Sequence, residues 1–194
     1  MTSLIPPENH WQKQRWKYVS VNIAESLLQL IHPHMNHLWS PWRMTYIDNA
    51  NKEEGCVFCK LQAKEDGPEN LIIQRGQLAY VILNRYPYTS GHVMVVPFAH
   101  KPNLEELDAA TRAEMMELTS QATVVLRKVY KAVSFNVGAN IGEAAGAGVK
   151  NHVHIHIVPR WVGDTNFMSA VAETRVLPES LEDSWRRIRD GFRS

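Results

Sequence analysis

The sequence predicts an α+β fold, a five-stranded antiparallel sheet packed by one long helix and shorter helices. Two patterns carry this reading. Short β-branched segments dominate the middle of the chain, and one of them, Asn151–Val158, alternates strictly. Between the strand-like segments runs a single apolar stripe at helical spacing.

Taken in order, Leu71–Gln74, Leu78–Leu83 and His92–Pro97 read as strands, with turn signals at Arg75-Gly76 and Pro87–Gly91. Asn103 suits a helix N-cap, with Glu105 and Glu106 in the first turn. Leu104, Leu107, Thr111, Met115, Leu118, Ala122, Val125 and Val129 follow at steps of three or four, which predicts one core-facing helix over 104–131. Ser134–Ile141 reads as a strand and Gly142–Gly148 as a loop. The tail carries a helix over Glu179–Phe192. Upstream, Val19–Ile31 fits a short amphipathic helix. Residues 1–34 differ in character from the rest, either as an added arm or as sequence upstream of a true start at Met35. The expected division is an N-terminal arm (1–34), a main domain (35–168) and a C-terminal extension with a short helix (169–194).

Composition excludes more than it identifies. The 194 residues are 44% hydrophobic and 21% charged, ordinary for a packed domain. Lys+Arg 21 against Asp+Glu 20 gives a net charge of +1, which argues against a basic nucleic-acid coat and an acidic disordered tail. No window approaches the roughly 20 apolar residues of a membrane span, and the N-terminus lacks the order of a secretory signal. Two cysteines are too few for a disulfide scaffold. A cytoplasmic protein with no membrane and no specific nucleic-acid partner is expected.

The chemistry lies in the histidines. Within 151–158 a regular strand places His152, His154 and His156 on one face, roughly 6.6 Å from one to the next. Val153, Ile155 and Ile157 take the other face. Such a row serves either as metal ligands or as a nucleophile with its helpers. Neutral imidazole, with an ordinary pKa near 6.5, attacks without a separate base at about pH 7. On phosphorus, neighbouring imidazoles and backbone amides would then hold the phosphoryl oxygens. Gly142, Gly146 and Gly148 just upstream would let amides approach an anion.

His152-Val-His154-Ile-His156-Ile-Val-Pro159 resembles the signature of the histidine-triad superfamily of nucleotide hydrolases and transferases. Leu83-Asn84 and Gly91-His92-Val-Met-Val-Val-Pro97-Phe-Ala-His100 resemble its ribose-side strand and turn. Leu38-Trp39-Ser-Pro41-Trp42-Arg43, Cys56-Val-Phe-Cys59 and Pro159–Met168 look closest to a bacterial branch that includes diadenosine tetraphosphate phosphorylases and related hydrolases. The resemblance covers about residues 37–168. It implies that His154 attacks the α-phosphorus to give a nucleotidyl-imidazole intermediate, with His156 contacting the phosphate. It places Asn84 at the ribose, His92 in the core, Asn140 and the amides of Gly146 and Gly148 at the phosphates, and Val57, Phe58, Leu61 and Ile82 around the adenine. Many family hydrolases carry Gln or Ser just before the triad. Gly146-Ala147-Gly148 offers no side-chain donor there, so backbone amides must serve, and water and phosphate both stay open as the second acceptor. An adenine nucleotide or dinucleotide substrate and a homodimer are implied, with Mg²⁺ carried on substrate phosphates. A nucleoside phosphoramidase, another nucleotidyl transferase and a non-catalytic zinc-containing nucleotide-binding module are the alternatives.

Cys56 and Cys59 form one C-x-x-C. A redox pair lacks a thioredoxin-like context, and a four-cysteine site is excluded within one chain. Two free core cysteines or a zinc site completed by His100 and His152 are the other readings. The resemblance supports the Cys56, Cys59, His100, His152 quartet as a closed, structural zinc. It leaves His154 and His156 for chemistry.

Overall fold

The computed structural model describes residues 55–164 and 179–194, all within the unit spanning 40–194. The expected helix at 19–31 and the arm at 1–34 lie outside the described residues. Helix α1 (Val57–Gln62) comes first, then strands β1 (Ile72–Arg75), β2 (Ala79–Leu83) and β3 (Val93–Pro97). Helix α2 (Ala109–Tyr130), strands β4 (Ser134–Gly138) and β5 (Ile155–Arg160), and helix α3 (Leu181–Arg193) complete the order. The sheet is fully antiparallel in the order β1-β2-β3-β5-β4, so β5 inserts between β3 and β4. The expected five strands and long helix are present.

The register sets the two faces. Leu83 pairs Val93, which pairs Ile157, and Val81 pairs Val95, which pairs Ile155. Paired residues share a face, and this one is the apolar floor on which α2 lies across β2, β3 and β5. Ile82 pairs Met94, which pairs His156, on the opposite face. Helix α3 closes the core over β1. Its Ile188 is fully buried, and its Trp185 Nε1–H donates to the Ile72 carbonyl at 2.8 Å. A side chain at Gly191 would meet Val125 at 2.7 Å and Val129 at 2.9 Å, so glycine sets how closely α3 approaches α2.

Three elements depart most from the sequence reading. The long helix starts at Ala109, not 104. Leu104–Glu106 is a separate 3-10 turn, Leu107 is extended, and Asp108 is the cap, accepting from the Thr111 amide at 2.7 Å. Asn103 instead spends its side-chain amide on the Glu106 carboxylate. The stripe misleads because the 3-10 turn also turns Leu107 into the core. Strand β4 ends at Gly138 rather than Ile141. Strand β5 covers 155–160 rather than 151–158. Pro159 is tolerated because β3 pairs β5 only as far as Ile157. Residues 151–154 form a bend, tied by the Val153 amide to the Lys101 carbonyl at 2.7 Å.

The turn before β3 depends on Gly91. Its φ is +76°, and a Cβ there would sit 2.9 Å from the Tyr130 ring. Left-handed backbone costs an L-residue about 1 kcal/mol, and overpacking adds about 1–3 kcal/mol. Gly91→Ala is therefore expected to destabilise the chain by about 2–4 kcal/mol, read as a lower denaturation midpoint in urea. An unchanged midpoint would show that this turn relaxes freely.

Candidate active site and metal centre

The bend at 151–154 splits the histidine row into two jobs. His152, His154 and His156 do not stand evenly along one strand, because only His156 belongs to the ladder. His154 and His156 remain neighbours, with ring centroids 4.8 Å apart. His152 turns away into a different cluster, fully buried.

Hydrogen bonds fix which nitrogen of each ring carries its proton. The Tyr88 amide donates to His92 Nδ1 at 3.1 Å, and the Asn84 side-chain amide reaches the same nitrogen at 3.3 Å. The His92 proton therefore lies on Nε2, which donates to His156 Nδ1 at 3.0 Å. With Nδ1 accepting, the Nε2 of His156 is the nitrogen left to carry its proton. On the other side, His154 Nδ1–H donates to the His152 carbonyl at 2.9 Å. That leaves the His154 Nε2 lone pair as the basic, nucleophilic nitrogen.

Burial favours the neutral forms of His92 and His154. Burial first, then the neighbouring His156 and His154, drives the His92 pKa down to about 3. Burial lowers His154 too, against the opposing pull of the His152 carbonyl. A neutral His154 is available for attack at neutral pH.

The second cluster joins Cys56, Cys59, His100 and His152, whose ligand atoms all lie within 4.8 Å of one another. His152 Nε2–H donates to the Pro97 carbonyl at 2.9 Å, so its Nδ1 faces the cluster as a lone pair. That nitrogen is 3.3 Å from Cys56 Sγ, 3.7 Å from Cys59 Sγ and 3.3 Å from His100 Nδ1. Cys59 Sγ is 3.3 Å from His100 Nδ1. Tetrahedral zinc with bonds of about 2.0–2.3 Å spaces its ligands by roughly 3.3–3.8 Å. Burial, then the charge on Cys56, pushes the Cys59 thiol up, and a cation would reverse that by favouring the thiolates. The donor set and its spacing fit zinc. Among the described residues this is the one group of His, Cys, Asp and Glu side chains arranged to hold an ion.

Ile82 is buried on the histidine face, in register with His156 through Met94. Phe58 is buried edge-on against both His152 and His154, while Val57 is exposed and Leu61 half-buried. The Asn84 side-chain oxygen accepts from the Tyr86 amide at 3.0 Å. Asn140 is half-buried just past β4, and Gly148 is exposed. The Gly146 amide donates to the Glu143 carbonyl at 2.9 Å, inside a short 3-10 turn. Its expected role as a phosphate-cradling amide therefore competes with a bond already made. Tyr88 escaped the sequence reading. Its ring lies 4.7 Å from that of His92 and stacks 6.2 Å from His156. Its setting in Pro87–Gly91 signals only a turn.

The HIT domain profile matches residues 65–162. The chain is 38% identical to the AP-4-A phosphorylase of Mycobacterium tuberculosis over 162 residues, 79% of this chain and 83% of that one. It is 32% identical to the asymmetrical bis(5'-nucleosyl)-tetraphosphatase of Schizosaccharomyces pombe, over 48% of this chain and 50% of that one. The structure of a Zn-bound histidine triad family protein from Mycobacterium smegmatis superposes with a TM-score of 0.59 at 29% identity, covering 72% of this chain and 94% of the other.

The buried neutral His92 predicts a pH dependence of stability. Its folded pKa lies below the ordinary value of 6.5, so the unfolded chain takes up the proton first. Stability conferred by neutral His92 is complete above pH 6.5 and is lost as pH falls towards 3. In His92→Gln, denaturant midpoints measured between pH 7 and 4 should fall less steeply than in the wild type. Parallel curves would contradict the assignment.

Proposed function

The chain belongs to the HIT domain family, and from that premise we propose that it cleaves diadenosine polyphosphates at the α-phosphorus through a nucleotidyl-histidine intermediate. The observation carrying this reading is the protonation pattern around His154. Its Nδ1–H is spent on a carbonyl, which leaves Nε2 as the attacking lone pair.

In the first step, His154 Nε2 forms a bond to the α-phosphorus in line with the leaving oxygen, and the P–O bond to the nucleoside polyphosphate breaks. His156, held through Nδ1 by His92, presents Nε2–H to the phosphoryl or departing oxygen and offsets its growing negative charge. In the second step an incoming oxygen attacks from the opposite side, the N–P bond breaks and His154 is regenerated. Identity of 38% to an AP-4-A phosphorylase favours orthophosphate over water as that acceptor. Asn84 and Ile82 would line the nucleoside end, and Asn140 with the Gly148 amide the phosphates.

The Cys2His2 quartet would hold a structural zinc, with four protein ligands and no position left for catalysis. Any magnesium rides on substrate phosphates. Thiolate ligands suit a reducing, cytoplasmic compartment. No helix among the described residues is long and apolar enough to cross a membrane. Strand β4 is an exposed edge with Val137 on it, and pairing with a second copy along that edge would form the homodimer.

His154→Ala should abolish turnover of diadenosine tetraphosphate while leaving nucleotide affinity within about tenfold, measured by product chromatography and calorimetry. Full activity in that variant would remove the nucleophile. With orthophosphate the wild type should yield ADP plus ATP. AMP plus ATP, with or without orthophosphate, would make it a hydrolase, and two ADP would contradict attack at the α position.

A further inference from the structure

Two of the contacts that hold the His154 ring belong to the metal centre. The carbonyl that accepts from His154 Nδ1–H is that of His152, whose own Nδ1 is one of the quartet's ligand atoms. The ring of Phe58 stands edge-on to both, 5.0 Å from His154 and 5.4 Å from His152. Phe58 lies between Cys56 and Cys59 in the first turn of α1.

That helix is only six residues long and has no side-chain cap at its N-terminus, far below the length that is stable alone. It also lies upstream of residues 65–162, where the family profile matches. Its placement must come from tertiary contacts. At its C-terminal end Arg75 donates to the Gln62 carbonyl at 3.0 Å and Gln62 to the Phe98 carbonyl at 3.5 Å; at its N-terminal end the contacts are the burial of Phe58, the Tyr80 hydroxyl on the Phe58 carbonyl at 3.3 Å, and the two cysteines in the quartet.

We propose that the Cys56–Cys59–His100–His152 centre is a positioning device for the nucleophile. Bound zinc locks both the His152 carbonyl and the Phe58 ring, and so holds His154 with Nδ1 protonated and Nε2 ready to attack. This rests on the reading of His154 as nucleophile. A mere staple between α1 and the sheet would stabilise the fold and leave the His154 ring indifferent to the metal. Phe58 and His152 are thus positioning residues for His154, whatever contact Phe58 also makes with the base.

The test reads the ring itself. Side-chain ¹H–¹⁵N spectra of the full chain, labelled at histidine, report the tautomer of His154. Zinc-loaded wild type should show a single Nδ1–H tautomer. Zinc-stripped wild type and Cys59→Ser, with dispersed backbone spectra confirming the fold, should show mixed tautomers. In them kcat should fall about ten- to a hundredfold while KM stays within about threefold. Returning zinc to the stripped wild type should restore both readouts. Phe58→Leu keeps all four ligands and so should keep its zinc, yet shift the His154 signals and lower kcat.

An unaltered His154 tautomer and kcat in a folded, zinc-free chain would overturn the proposal. Should zinc removal unfold the chain, the cadmium-loaded full chain decides instead, because its longer metal–ligand bonds displace His152, and unaltered His154 signals and kcat there would overturn the proposal equally. A zinc-dependent tautomer in a chain that cleaves no nucleotide would uphold the positioning and defeat the activity, so the two can fail separately.

Discussion

A single hydrogen bond, from His154 Nδ1–H to the carbonyl of the residue two positions back, is the constraint on which the site depends. An imidazole in water exchanges its proton between two nitrogens. Committed to one, it becomes a directed nucleophile on the other. The bond needs a bend in the backbone, because in a regular strand that carbonyl would point sideways into the ladder. The bend at 151–154 supplies it and sends His152 to a second task. Ladder pairing resumes at Ile155, so His156 returns to the sheet and to His92.

The sheet order follows from the same need. Inserting β5 between β3 and β4 puts His156 beside Met94 and within reach of His92 at the start of β3. Gly138 pairs His156 on the other side, so no side chain crowds that ring from β4. Both faces of these strands are packed. Helix α2 lies on the face of Val81, Val95 and Ile157, and Tyr80, Ile82, Met94 and Val96 are buried on the face that carries His156.

Much of this was legible in the sequence, for physical reasons. Strand and helix periodicity identified five strands and one long helix. Alternating β-branched residues suit a pleated, half-buried strand, and a stripe at steps of three or four suits one face of a helix. The C-x-x-C made two thiolates and two imidazoles one of several readings, and it was the family resemblance that supported His100 and His152 as the other two members. The boundaries were less legible. Asn103 and Asp108 are both competent caps, and only the extended backbone at Leu107 separates the 3-10 turn from the helix. Alternation of His with Val and Ile through 152–156 looks the same whether the chain is a strand or a bend. The tautomers and the stacking of Tyr88 depend on backbone amides and carbonyls that carry no residue signature.

The central claim is a covalent bond between His154 and the nucleotide. The most direct measurement is a rapid quench into alkali, where a phosphoramidate survives, after mixing the full chain with diadenosine tetraphosphate labelled at the α-phosphorus. Peptide mapping should then find the label on the fragment carrying His154 within the first turnover. Label on another residue, or continued turnover with no label on the protein, would contradict the account.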